Sequence, residues 1–281
     1  MRFGINTFLF TSPFTNDSTR WFRQFKQWGF DSVEIPIEDP AHIDPAYVKR
    51  ELDRHGLVCG SVCACLGPDR DLRGPAQPPR NSLDYLKRVV DQMVVLGSRS
   101  VVGPVYSSVG RAEAVPPAEY RKQWKTVVKH LKVLAAYAQQ RGKQICLEPL
   151  NRFETDFINT CDQALKLVKA VGCPALKLHL DTFHMNIEEN DFRTPVLACG
   201  DKLGYVHIGE NNRGYLGAGP IDFSALFGAL REVGYTGAVT FESFSSAVLE
   251  PNVSNTLGIW RNVVSQAGSG RAPRTRQATP R

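Results

Sequence analysis

Eight short apolar runs, each followed by a longer amphipathic stretch, recur along nearly the whole chain, and this alternation restricts the fold more than any other feature. The runs are RFGINTF (2–8), SVEIPI (32–37), CGSVCAC (59–65), SVVGPVY (100–106), KQICLEP (143–149), LKLHLD (176–181), GYVHI (204–208) and AVTFES (238–243). Between them, segments such as SLDYLKRVVDQMVVLG (82–97) and PAEYRKQWKTVVKHLKVLAAYAQQRG (117–142) place apolar residues at the three-to-four spacing of a helix. Several of these segments close on a glycine, Gly97 and Gly142 among them, where a helix stops and the chain turns back to a parallel strand. Eight strand-plus-helix units predict an α/β protein built as a closed (β/α)8 TIM barrel. A doubly wound open sheet would carry a glycine-rich phosphate turn after the first strand; Asn6-Thr7-Phe8-Leu9-Phe10 has none.

A chain of 281 residues, 42% hydrophobic and 22% charged, suits one barrel-sized domain, and no linker interrupts residues 1–264, which are read as a single catalytic domain. Residues 265–281 are rich in Gly, Pro, Ser and Arg and lack an apolar period, so they are expected to be disordered. Their four arginines account for most of the formal net charge of +6. The body is nearly balanced, and neither a nucleic-acid partner nor a membrane is expected. MRFGINTFLFTSP, at the start, reads as a strand and not as a targeting segment. Seven dispersed cysteines without a C-x-x-C pair fit a reducing, cytoplasmic setting.

In a barrel of this kind the active site forms at the C-terminal ends of the strands. Four consecutive late strands end on an ionisable group: Glu148 after ICL, Asp181 after LHL, His207 in YVHI and Glu242 after VTF. They are separated by about one strand-plus-helix unit each and should converge on one rim. Three carboxylates brought together repel one another unless a cation neutralises them. The oxygen-rich set with one nitrogen suits Mn2+, Mg2+ or Co2+. His179, two residues before Asp181, shares its face and points into the barrel. Cys63 and Cys65 share a face without a third soft ligand, and His42, His55 and His130 fall on helical or loop segments at the surface.

The stretches LEPLNRFET (147–155), LHLDTFHMNIEE (178–189), YVHIGENNRG (205–214) and FESFSS (241–246) resemble those of the ketohexose 3-epimerases, the D-tagatose, D-allulose and L-ribulose 3-epimerases of the xylose-isomerase-like barrels. The resemblance runs from Phe3 to about Asn262. It implies Glu148, Asp181, His207 and Glu242 as ligands of a Mn2+-like ion, with Co2+ or Mg2+ as substitutes and no organic cofactor. It further implies that Glu154, His184 and Arg213 hold the sugar, that Asn6 stands among the substrate contacts where many relatives carry an aromatic or a histidine, and that the protein is a homo-dimer or homo-tetramer. Many relatives continue past a Trp-Arg-Asn motif, here Trp260-Arg261-Asn262, into a further helix, whereas this chain runs into its arginine-rich tail.

The hydrogen on C3 of a free ketose is adjacent to a carbonyl, and its removal gives an enediolate that a metal stabilises. Inversion requires acid/base groups on both faces of the carbon, and Glu148 and Glu242 are expected to fill these roles. No phosphate nest or basic cluster follows the last two strands, so the substrate is expected to be unphosphorylated. An aldose–ketose isomerase would use the same metal and moves the proton between C1 and C2. A DNA-repair hydrolase on a related barrel would need more metal-binding histidines than six in all can supply. A non-catalytic sugar-binding barrel would have no use for both glutamates.

Overall fold

The computed structural model describes residues 1–74, 77–244 and 256–262; the tail expected to be disordered lies outside them. Eight strands close into one parallel barrel in sequence order: β1 Arg2–Asn6, β2 Ser32–Pro36, β3 Val58–Cys63, β4 Ser100–Gly103, β5 Gln144–Leu147, β6 Leu176–Asp181, β7 Leu203–Ile208 and β8 Ala238–Phe241. The ring is completed by β8 beside β1, with Ile5 opposite Phe241. Helices α1 Phe22–Gln27, α2 Pro45–Arg54, α3 Gln77–Leu96, α4 Pro117–Gln139, α5 Cys161–Val171, α6 Thr182–Glu188, α7 Arg193–Cys199 and α8 Phe223–Glu232 lie between the strands, and residues 256–262 are helical. The (β/α)8 expectation holds, and each strand lies within a residue or so of its predicted run or inside it.

Local chemistry fixes where elements begin and end. The expected first strand stops early because the Asn6 side chain accepts the Phe8 N–H at 2.8 Å and caps a 3-10 turn at Thr7–Leu9. Thr160 and Gln163 form a reciprocal capping box at the start of α5, and Gly172, with φ 69°, ends it in the left-handed region that glycine tolerates.

Strand alternation then divides the barrel into two environments. Phe3, Ile5, Val33, Ile35, Leu178, Leu180, Val206, Ile208, Val239 and Phe241 are buried with the helices in the main core. Trp260 completes this layer by stacking on Phe3 at a centroid distance of 4.5 Å and 9°. The alternate residues Asn6, Ser32, Glu34, Ser61, His179, Asp181, Tyr205, His207 and Thr240 are buried too, yet polar. They line the inside of the barrel, which is therefore a hydrogen-bonded interior. It is tightly filled: a Cβ on Gly4 would come within 2.6 Å of Thr240 Oγ1 and 2.7 Å of Ser32 Oγ. Among the described residues no helix is long and apolar enough to cross a membrane.

Candidate functional site

The four predicted strand-end groups meet at the C-terminal mouth of the barrel. Glu148 follows β5, Asp181 is the last residue of β6, His207 is the penultimate residue of β7, and Glu242 follows β8. Glu148 is 5% exposed, Asp181 3% and His207 1%. Three overlapping sets of side chains have ligand atoms within 4.8 Å of one another: Glu148, His179 and His207; Glu148, Asp181 and His184; and Glu34, His207 and Glu242. His207 Nδ1 is 3.5 Å from Glu242 Oε1, and the backbone N–H of Glu242 is held by the Ile208 carbonyl at 3.0 Å.

Burial and mutual repulsion dominate the electrostatics. Burial, reinforced by the Asp181 and Glu242 carboxylates, raises Glu148 well above the usual carboxylate range against the pull of His207. Burial and Asp181 push Glu242 up to about 7, opposed by His207 and Arg213. Burial alone would lower His207, but the Glu34 and Glu242 carboxylates raise it well above an ordinary histidine. Buried carboxylates competing for protons around a histidine nitrogen, Nδ1, that has no hydrogen-bond partner among the described residues form a donor set that fits a divalent cation. A cation there would relieve the repulsion and give that nitrogen a partner.

Around this centre lie the residues implied by the resemblance. His184, on α6, accepts the backbone N–H of Asn151 at Nδ1 (3.1 Å). Nε2 faces Asp181 Oδ2 at 3.7 Å and Glu148 Oε1 at 3.9 Å, with Arg213 Nη2 at 3.1 Å. Arg213 holds a left-handed backbone conformation, φ 54°, and Ser243 Oγ–H and Phe244 N–H both donate to its carbonyl. Its guanidinium lies between the rings of Phe183 and Phe244, 4.2 and 4.6 Å from their centroids, and 3.5 Å from Glu154 Oε1. Asn151 Nδ2 holds that same Glu154 oxygen at 2.9 Å. Glu154, His184 and Arg213 thus form one linked rim.

Asn6, expected among the substrate contacts, has its whole amide committed to the protein. Nδ2 donates to Glu34 Oε1 and to Glu242 Oε1, both at 2.7 Å, while Oδ1 caps the turn. His179 is fully buried and packs edge-on against His207 at 4.1 Å; burial holds it well below an ordinary histidine. His42 is exposed, and His55 and His130 are half-buried on or beside helices away from this mouth. All seven cysteines are free thiols. A separate cavity of about 530 Å³ opens at the opposite, N-terminal end of the barrel, lined by Arg2, Arg99, Lys177 and Tyr205 among others, and holds none of the four groups.

Sequence reasoning missed Glu34. It occupies the middle of β2 with 0% exposure, and its two oxygens lie 2.9 Å from His207 Nε2. The signal was present in SVEIPI: an acid in a parallel strand, whose two faces are both covered, has no solvent to face.

The sequence matches the xylose isomerase-like TIM barrel family over residues 22–263. An L-ribulose 3-epimerase of Methylomonas sp. (strain DH-1) is 41% identical over 236 residues, 84% of this chain and 81% of that protein. A ketose 3-epimerase of Arthrobacter globiformis is 38% identical, covering 94% and 90%. The crystal structure of the D-allulose 3-epimerase from Methylomonas sp. in complex with D-allulose superposes with a TM-score of 0.82 at 35% identity, over 95% of this chain and 94% of that one.

Proposed function

The chain belongs to the ketose 3-epimerases of the xylose isomerase-like TIM barrel family, and we propose that it inverts C3 of a free ketose through an enediolate, with Glu148 and Glu242 as the acid/base pair. The observation that carries this reading is the meeting of Glu148, Asp181, His207 and Glu242 in one buried mouth, where burial raises both glutamates. Within the reading, residues 1–264 form a single catalytic domain. L-Ribulose and D-allulose, named for the relatives, and their C3 epimers are the first substrates to test. Residence in the cytoplasm is inferred from the dispersed cysteines, and assembly as a homo-dimer or homo-tetramer from the family resemblance.

Glu148, Asp181, His207 and Glu242 would hold a divalent ion, Mn2+ with Co2+ or Mg2+ as substitutes. When bound, this ion supplies the positive charge that makes the C3 hydrogen acidic. No organic cofactor enters. Glu148 and Glu242 come from β5 and β8, three strands apart around the mouth, and so can stand on opposite faces of a carbon placed between them. One takes the C3 proton as a carboxylate while the other, protonated, delivers its own to the far face. His184 presents Nε2 to the mouth beside Arg213 and would orient the sugar there. Arg213 and Glu154 fix hydroxyls from a rim whose guanidinium is already immobilised between two rings.

Incubation with a panel of free ketoses, followed by chromatographic product analysis, tests this directly: a C3 epimer should appear without aldose. Arg213→Ala should raise KM by roughly tenfold or more, the scale of a lost charge-assisted hydrogen bond, and change kcat less. An unchanged KM would remove Arg213 from sugar binding.

A further inference from the structure

We propose that Glu34 is a positioning residue for the site, fixing His207 directly and Glu242 through Asn6. The inference rests on the metal-binding reading above. Three donors converge on this one buried carboxylate. His207 Nε2 lies 2.9 Å from both oxygens, Asn6 Nδ2 is 2.7 Å from Oε1, and the Ser61 hydroxyl donates to Oε2. The second and third contacts leave the carboxylate no free rotation, so it presents a fixed pair of acceptors to the imidazole.

The consequence for His207 is specific. An imidazole ring that gives its Nε2–H to an acceptor has Nδ1 as the nitrogen left for a cation. Nδ1 is the ring atom without a hydrogen-bond partner among the described residues, and it is the one that faces Glu242. His179 packs edge-on beside the ring at 4.1 Å and 85°, which restrains its tilt. Asn6 extends the same control to Glu242. Its Nδ2 bridges Glu34 Oε1 and Glu242 Oε1, both at 2.7 Å, so the amide holds the two carboxylates at a set separation.

Glu34 is itself anchored from below. Ser61 Oγ also lies 2.6 Å from Tyr205 Oη, and Tyr205 Oη is 2.5 Å from Thr240 Oγ1. These hydroxyls form a buried layer beneath the mouth, on β3, β7 and β8. Thr240 pairs with His207 across β7 and β8, but its hydroxyl bonds Tyr205 and, among the described residues, neither Glu34 nor His207, which makes Thr240→Val the control for a disturbance of this layer that removes no bond to Glu34.

The experiment measures Mn2+ affinity of the full-length protein by titration calorimetry, with unaltered protein, Glu34→Ala, Glu34→Gln and Thr240→Val compared after circular dichroism has shown each to be folded. Glu34→Ala should weaken Mn2+ binding by roughly 10–100-fold, the range for removing the group that orients a ligating histidine. Glu34→Gln keeps one oxygen for the Nε2–H and should lose less, and Thr240→Val should match the unaltered protein. The visible absorption of the Co2+-loaded protein should shift in Glu34→Ala and not in Thr240→Val, because it reports ligand geometry and not turnover. A Glu34→Ala affinity within about twofold of the unaltered protein, or a Glu34→Gln loss as large as that of Glu34→Ala, overturns the positioning role while leaving the metal site intact. Unaltered protein that binds no Mn2+ defeats the metal reading itself, and the role of Glu34 with it.

Discussion

Glu148→Gln and Glu242→Gln should each lower kcat by roughly 10²–10⁴-fold, the range contributed by one positioned proton-transfer group. Glutamine keeps the shape of the side chain and an oxygen that can still accept or ligate, but it has no proton to exchange at C3. The two substitutions should differ in one respect. Glu242 also accepts from Asn6 Nδ2, and a glutamine whose oxygen keeps that contact presents its amide nitrogen elsewhere in the mouth. Glu148 has its nearest nitrogen neighbours, His179 Nδ1 and His184 Nε2, at 3.6 and 3.9 Å, so Glu148→Gln is the cleaner removal of a proton carrier. Steady-state kinetics at saturating Mn2+, with metal content measured in the same samples, separates lost chemistry from lost metal. Near-normal turnover in both variants with metal bound would show that the acid/base pair lies elsewhere.

Removal of the metal should have an effect at least as large. Dialysis against a chelator should abolish epimerisation, and Mn2+ or Co2+ should restore it. The buried carboxylates explain why stability should change too. Without a cation, Glu148 and Glu242 are raised by burial and by their acidic neighbours, so charge repulsion in a site shielded from water opposes the folded state. A ligand present at a hundredfold excess over its Kd stabilises the folded state by about 2.7 kcal/mol, and the melting temperature of the chelated protein should rise by several degrees on adding Mn2+. Full turnover in metal-free protein, or a melting temperature indifferent to Mn2+, would contradict this.

The barrel was legible because each of its units repeats the same signal. An apolar run too short for a helix is followed by a stretch with helical period and a stop, and parallel strands buried on both faces need that hydrophobicity. The four strand-end groups were legible because a barrel delivers its chemistry where strands end. What the sequence hid depends on contacts between distant elements. Glu34 looks like any alternating strand residue until β2 is seen to place it against His207 of β7. The resemblance placed Asn6 among the substrate contacts; that its amide also bonds Glu34, Glu242 and the turn that ends β1 could not be read from the sequence. Arg213 entered the sequence reading only through the family resemblance. Its confinement between Phe183 and Phe244 joins a residue of α6 to residues of two separate loops. The short helices α6 and α7 escaped notice because seven residues span barely two turns, too few to establish a period.

The central claim is that the proton removed is the one on C3, and heavy water tests it most directly. Glu148 and Glu242 exchange their protons with solvent between half-reactions if the mouth is open to water, so the epimer that accumulates from D-fructose, D-tagatose or L-ribulose should carry deuterium at C3 and none at C1. An aldose–ketose isomerase working with the same metal and the same enediolate chemistry would label C1 or C2 and yield an aldose. Proton NMR of the sugars at equilibrium distinguishes the two. Disappearance of the C3 signal with C1 intact is the predicted result; disappearance of the C1 signal with C3 intact would contradict it and establish the isomerase instead.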